Sequence, residues 1–216
     1  MNTILSTNSL RPRESYVFSQ DWFSNHIPTW EYVLERLRPR RLLEIGCYEG
    51  RATTFLIARC TEFGPLHLTC VDTWSGSVDL PQHAMAGVEA RFDLNVDLAM
   101  GRAAAAVTLS KMKAPSAKAL AGLLAADVKP FDFIYVDGSH TAPDVLIDAL
   151  LAFRLLRIGG ILVFDDYLWT MEPHISADVL NMPKPAIDAF AMIFTRKVRM
   201  LPGVPNSQCY LEKIAE

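Results

Sequence analysis

Arg41-Leu-Leu-Glu-Ile-Gly-Cys-Tyr-Glu-Gly50 decides how this chain is read. Arg41 to Ile45 reads as a strand that enters a turn carrying Gly46 and Gly50. Arg51–Cys60 follows with Ala52, Phe55, Leu56 and Arg59 at helical spacing. Strand, glycine turn and helix in that order open an α/β unit. Both glycines lack a Cβ, so the backbone can approach a ligand closely. Their spacing is G-x-x-x-G, unlike the G-x-G-x-x-G that aims a pyrophosphate at a helix N-terminus. A wider loop with polar contacts suits an uncharged ribose and an amino-acid tail. Glycine turns after strands are common, so a plain turn is the competing reading.

Outward from that stretch, strand and helix patterns alternate. Trp22–Leu37 is helix-like and precedes the first strand. Leu66–Asp72 reads as a second strand, and Val88, Phe92, Val96 and Ala99 mark a helix. Ala104–Leu109 is a weaker third strand, followed by a helix over Ser116–Leu124. Phe131–Asp137 is almost wholly apolar, as a strand buried on both faces should be. Thr141-Ala-Pro-Asp144 starts a helix that runs to about Arg157 before Gly159-Gly160. Ile161–Asp166 is a fifth strand, and Ala186–Phe194 is helical. Lys197–Leu201 and Cys209–Lys213 form a terminal antiparallel pair. The expected fold is α/β, a doubly wound, mostly parallel seven-stranded sheet with that antiparallel pair at its end. One domain spans 1–216, with 1–38 as an N-terminal helix and lid and 39–216 as the core. In such sheets a ligand sits beyond the carboxyl ends of the strands. Here those ends are Glu44–Gly50, Asp72–Ser75, Asp137–His140 and Asp165–Tyr167.

The formal net charge of −3 over 216 residues favours no polyanionic partner. Arg36, Arg38, Arg40 and Arg41 read as a solvated helix end, so nucleic acid is not an expected partner. Cys47, Cys60, Cys70 and Cys209 form no C-x-x-C pair or zinc spacing, which fits a reducing, cytoplasmic compartment. No apolar stretch reaches membrane-spanning length, and no signal-peptide pattern opens the chain. The expected partner is a small-molecule acceptor, with self-association left open.

Asp72 ends the second strand, where a carboxylate can accept both hydroxyls of a ribose; a turn residue is the alternative. Trp74 could stack on adenine or simply pack. With these residues in view the chain resembles a known family. L-L-E-I-G-C-Y-E-G-R and C-V-D-T-W are similar to class I methyltransferases, and more narrowly to the methyltransferase domain 24 family. Trp22-Phe-Ser-Asn-His-Ile-Pro-Thr-Trp30, Phe133-Ile-Tyr-Val-Asp-Gly-Ser-His140 and Val163-Phe-Asp-Asp-Tyr167 extend the resemblance over roughly residues 18–213. It implies S-adenosyl-L-methionine as cofactor, lined by Glu44, Gly46, Tyr48, Asp72 and Trp74. Gly50 belongs to the same loop, and Ser116 matches a position that contacts the adenine edge.

Asp137, Asp165 and Asp166 collect at the ends of strands four and five, which the expected order sets about 4.8 Å apart. Crowded carboxylates repel unless a cation neutralises them, and oxygen ligands suit Mg²⁺ or another divalent ion. His140, three residues after Asp137, is positioned to take a proton from an acceptor oxygen. The arrangement resembles metal-dependent O-methyltransferases of the catechol and sugar types. Asp137 is thus read as catalytic, as a neighbour of the cofactor and as a metal ligand. Competing readings make these residues turn caps or the walls of a metal-free site. Trp22, Phe23, His26 and Trp30, with Leu168–Lys184 including Trp169, Met171 and His174, are candidates to close over an acceptor or to pack the N-terminal helix. The leading expectation is metal-dependent O-methylation of a small hydroxylated metabolite or sugar. The alternatives are metal-independent O- or N-methyl transfer and a non-catalytic cofactor-binding protein. A nicotinamide protein is disfavoured by the first loop.

Overall fold

The computed structural model of this chain describes residues 15–77, 80, 82–170 and 178–216. Met171 and His174 lie outside the described residues, as do residues 1–14. The chain winds through α1 (Ile27–Leu37), β1 (Arg41–Ile45), α2 (Arg51–Cys60) and β2 (Leu66–Asp72). Next come α3 (Val88–Arg102), β3 (Val107–Lys113), α4 (Ser116–Ala125), β4 (Phe131–Val136), α5 (Ala142–Leu155) and β5 (Leu156–Phe164). It closes with α6 (Lys184–Ile193), β6 (Val198–Met200) and β7 (Cys209–Lys213). The seven strands lie in the order β3-β2-β1-β4-β5-β7-β6. The first five are parallel, and β7 runs antiparallel to both β5 and β6. This is the doubly wound sheet expected. The order reverses between β1 and β4, where a ligand crevice should open.

Alternation along the central strands divides the core into two layers. Leu42, Phe133, Tyr135 and Val163 face α1, α2 and α3. Leu43, Ile45, Ile134, Val136 and Leu162 face α4, α5 and α6. Trp30 of α1 is fully buried at the centre of the first layer, with its ring edge-on to Phe133 and Tyr135. Its indole N–H is satisfied by Gln208, 2.9 Å away. α1 is therefore part of the core. It begins at Ile27, since Pro28 suits the first turn of a helix and a short 3-10 turn, Ser24–His26, precedes it.

Besides α1, which the sequence pattern starts at Trp22 and the structure at Ile27, two boundaries differ from expectation. β3 begins at Val107 and runs to Lys113, several residues later than the alanine-rich reading. It is the edge strand, and Lys111 and Lys113 are anchored to Glu89 and Asp93 of α3, with the Lys111 ammonium over the Trp74 ring. Charged side chains along an edge also discourage pairing with another sheet. β5 begins at Leu156, because its opening residues follow α5 directly and an irregularity between Phe131 and Phe133 absorbs the change of register.

Gly46 welds the two halves of the sheet's working edge. Its φ is +83°, and a Cβ there would lie 1.9 Å from the Asp137 carbonyl oxygen. Glycine is required at this position by the protein's own backbone. Gly46→Ala should cost at least about 1–2 kcal/mol from the left-handed backbone alone, plus whatever displacement of β4 the clash demands. Gly122→Ala, inside α4 with no atom within 4 Å of the new methyl, should instead stabilise by about 0.5–1 kcal/mol. Thermal denaturation of the pair checks both signs; equal melting temperatures would contradict the assignment.

Candidate active site

A cavity of about 860 Å³ opens beyond the carboxyl ends of β1, β2, β4 and β5. Glu44, Gly46, Tyr48, Asp72, Ser116, Asp137, His140, Asp165 and Asp166 all line it. Sequence reasoning thus brought together nine residues from four strand ends and the start of α4.

At one end, Asp72 organises the loop after β1. One carboxylate oxygen accepts from the backbone N–H of Cys47 (2.8 Å) and Tyr48 (2.9 Å), and the other from that of Trp74 (2.7 Å). An ionised carboxylate has about four acceptor positions, so three are taken by backbone. The expected double contact to a ribose is not available in this arrangement, and a single acceptor position is left. Two further expectations are corrected here. Trp74 is turned into the core, where its ring packs on Phe92 at 4.9 Å and its N–H donates to the Tyr48 carbonyl at 2.9 Å. It does not line the cavity. Its backbone, at φ +49°, drives the side chain inward. Gly50 also faces away: a Cβ at this residue would meet the Phe92 ring at 3.0 Å, so glycine serves packing and the left-handed start of α2.

Glu44 is buried beside this loop, and its Oε2 accepts from the Thr53 hydroxyl at 2.7 Å. Burial pushes its pKa up to about 8, against the pull of the Thr53 hydrogen bond. The four cysteines are free and buried.

At the other end the three aspartates converge, with unequal surroundings. Asp165 is held from several sides. Its Oδ1 accepts from the Asp166 N–H at 2.9 Å and lies 3.7 Å from His26 Nε2, while Oδ2 contacts the Tyr135 hydroxyl. The same hydroxyl is 3.0 Å from Asp137 Oδ2, so one phenolic proton serves two carboxylates. Burial, then Asp165 and Asp166, holds the Asp137 carboxyl well above its usual range. Burial and then Asp166 raises Asp165. Asp166, with φ +52°, turns outward, and its Oδ2 is 2.9 Å from His140 Nε2. The Trp169 ring lies against the imidazole at 4.3 Å.

Asp137, His140 and Asp166 each present a ligand atom within 4.8 Å of the others, a spacing compatible with one metal ion. This modifies the expected set: His140 joins the grouping and Asp165 stands behind it. Tyr135 was missed, though period-two alternation places it on the same face as Asp137. No described helix is long and apolar enough to cross a membrane.

A family model described as a methyltransferase domain matches residues 43–167, more than half of the chain. The chain belongs to that family. It is a class I, S-adenosylmethionine-dependent methyltransferase. No curated protein matches it. Among solved structures, an O-methyltransferase from Bacillus cereus in complex with S-adenosylhomocysteine (SAH) is 16% identical, with a TM-score of 0.61 over 92% of this chain and 84% of that one. The O-methyltransferase TomG from Streptomyces achromogenes, in complex with S-adenosylmethionine, is 16% identical, with a TM-score of 0.58 over 87% and 78%. MycE from the mycinamycin biosynthetic pathway, in complex with Mg and SAH, is 18% identical, with a TM-score of 0.58 over 90% and 51%. At these identities the likeness is one of fold.

The buried Glu44 of this methyltransferase gives a pH test. In the unfolded chain it ionises near its ordinary value of 4.5, and in the folded one near 8. Its contribution to stability is complete below the lower value and is lost as pH rises through the higher one. Glu44→Gln, a neutral mimic, should leave the melting temperature nearly unchanged at pH 5 and raise it relative to wild type at pH 8.5. A difference independent of pH would reject this account.

Proposed function

We propose that this methyltransferase transfers a methyl group to a hydroxyl oxygen of a small hydroxylated metabolite or sugar, with a divalent cation held by Asp137 and Asp166. The observation that carries the reading is the convergence of Asp137, His140 and Asp166 within 4.8 Å in the cavity the cofactor loop shares. The donor set fits such a cation: two hard carboxylates and an imidazole, with Asp165 adding negative field close by. When bound, the cation would acidify an acceptor hydroxyl and neutralise the crowded carboxylates.

The chain's own groups do the rest. The loop after β1, organised on Asp72, offers its edge and one free acceptor position to the cofactor's ribose. Glu44, Gly46 and Tyr48 wall the same end, and Ser116 stands at the start of α4 toward the base. The sulfonium methyl is already electrophilic, so alignment and a deprotonated nucleophile are what the reaction requires. The acceptor proton passes to the imidazole of His140, and the Asp166 carboxylate, 2.9 Å from Nε2, pairs with the imidazolium that forms. Trp169 packs against the ring at 4.3 Å, in a tilted contact that limits its rotation.

A second reading has an observation of its own. The His140–Asp166 pair at 2.9 Å is complete without any cation, as a metal-free oxygen methyltransferase would need. Chelation separates the two. Turnover of a panel of small hydroxylated acceptors should vanish in EDTA and return with Mg²⁺; full activity in metal-free protein would select the second reading. In either case His140→Ala should lose about 10²–10⁴-fold in rate, with SAH affinity unchanged. Near-normal turnover by the folded variant would overturn both.

A further inference from the structure

Residues before α1 line part of the cavity, and two buried polar side chains of the core are committed to them. Glu49 is 1% exposed and Asn95 is 0% exposed. Glu49 accepts from the Ser19 N–H at 2.6 Å and the Ser19 hydroxyl at 2.7 Å, and is paired with Arg91. Asn95 accepts from the Val17 N–H at 2.7 Å and donates to the Val17 carbonyl and to the Glu49 carbonyl, both at 2.9 Å. Val17 is thereby bound as a strand would be, by a side chain in place of a neighbouring backbone. Arg51 adds a bond to the Gln20 carbonyl at 3.0 Å and lies over the Phe18 ring at 4.2 Å. Beyond Ser19, Trp22 packs on Tyr48 of the loop at 5.1 Å. Phe18, Gln20, Asp21 and Trp22 line the cavity, and Val17 and Ser19 do not.

The segment divides its labour. Val17 and Ser19 are exposed, yet their backbone and the Ser19 hydroxyl are fastened to the buried Asn95 and Glu49, while residues 18 and 20–22 form a wall. Burying a carboxylate and an amide is costly unless each is bonded. Here the partners are supplied by a segment without regular structure of its own. We propose that Glu49 and Asn95 are positioning residues for the cofactor, acting through the backbone of residues 17–20 to hold Phe18, Gln20 and Trp22 against it. This rests on the cavity being the S-adenosylmethionine site. Since Glu49 also belongs to the loop after β1, the loop and the wall are aligned by one side chain.

Proline variants on the exposed strap test this without touching the core. Val17→Pro removes the N–H that Asn95 accepts, and Ser19→Pro removes both donors to Glu49. Stopped-flow binding of SAH is the readout, with thermal denaturation alongside. Either variant should speed SAH dissociation at least tenfold, while association changes less than threefold and the melting temperature moves by only a few degrees. Adding Glu49→Gln to Ser19→Pro should speed dissociation no further. Unchanged dissociation overturns the proposal, as does a lowered melting temperature with normal rates. Both rates rising in proportion, with affinity preserved, would make the segment a gate and overturn it as well. Failure of the cofactor assignment itself is distinguished at the start, since the wild-type protein would then not bind SAH.

Discussion

The close approach of Gly46 to the Asp137 carbonyl is the constraint on which the site depends. It brings the end of β1, with its ligand-facing loop, into contact with the end of β4, which carries the first aspartate. The Asp137 N–H donates to the Ile45 carbonyl at 2.7 Å, and the Gly46 N–H to Val71 at 2.9 Å. Three strand ends are therefore locked at the point where the sheet order reverses. A side chain at residue 46 would separate the cofactor end of the cavity from the carboxylate end. Methyl transfer needs those ends held within a bond-forming distance of each other, and this backbone contact supplies the fixed reference for both.

Charge is distributed around that reference in a graded way. Asp72 is spent on backbone N–H groups and gives the loop its shape. Asp165 is spent on Tyr135, the Asp166 N–H and the neighbourhood of His26, and gives the aspartate cluster its spacing. Asp137 and Asp166 group with His140, while Asp165 lines the cavity beside them. The fully buried Tyr135 links the two kinds of carboxylate, because its single hydroxyl touches one member of each. Burial, then the neighbouring aspartates, keeps Asp137 and Asp165 above their ordinary range, and a bound cation would favour their charged forms.

Much of this was legible from residue order. The alternation of strand and helix patterns defined the sheet, and polar residues at strand ends defined the cavity. Asp137, Asp165 and Asp166 line the cavity because they follow directly on β4 and β5, and Ser116, the first residue of α4, and His140 come shortly after β3 and β4. What escaped has local causes. Trp74 has a positive φ, and a left-handed residue reverses where its side chain points without any compositional mark, so its ring went to the core. The oxygens of Asp72 are taken by the N–H groups of Cys47, Tyr48 and Trp74, turn geometry that residue types alone do not show. β3 was placed early because alanine at 103–106 is compatible with either strand or loop, whereas the pairing partners that decide it, Leu66 to Asp72, are distant in sequence. The role of Glu49 and Asn95 was hidden for a similar reason: their partners are backbone atoms some 30 and 78 residues away.

The central claim is that the reactive end of the cofactor and the carboxylate cluster share one cavity, with the base of the nucleoside farther off at α4. Nuclear relaxation of bound SAH by Mn²⁺ measures this directly. The account predicts strong, saturable broadening of the methylene protons beside the sulfur, weaker broadening of the adenine protons, and loss of both in Asp137→Asn. Broadening that is absent, or strongest at the adenine, would contradict it.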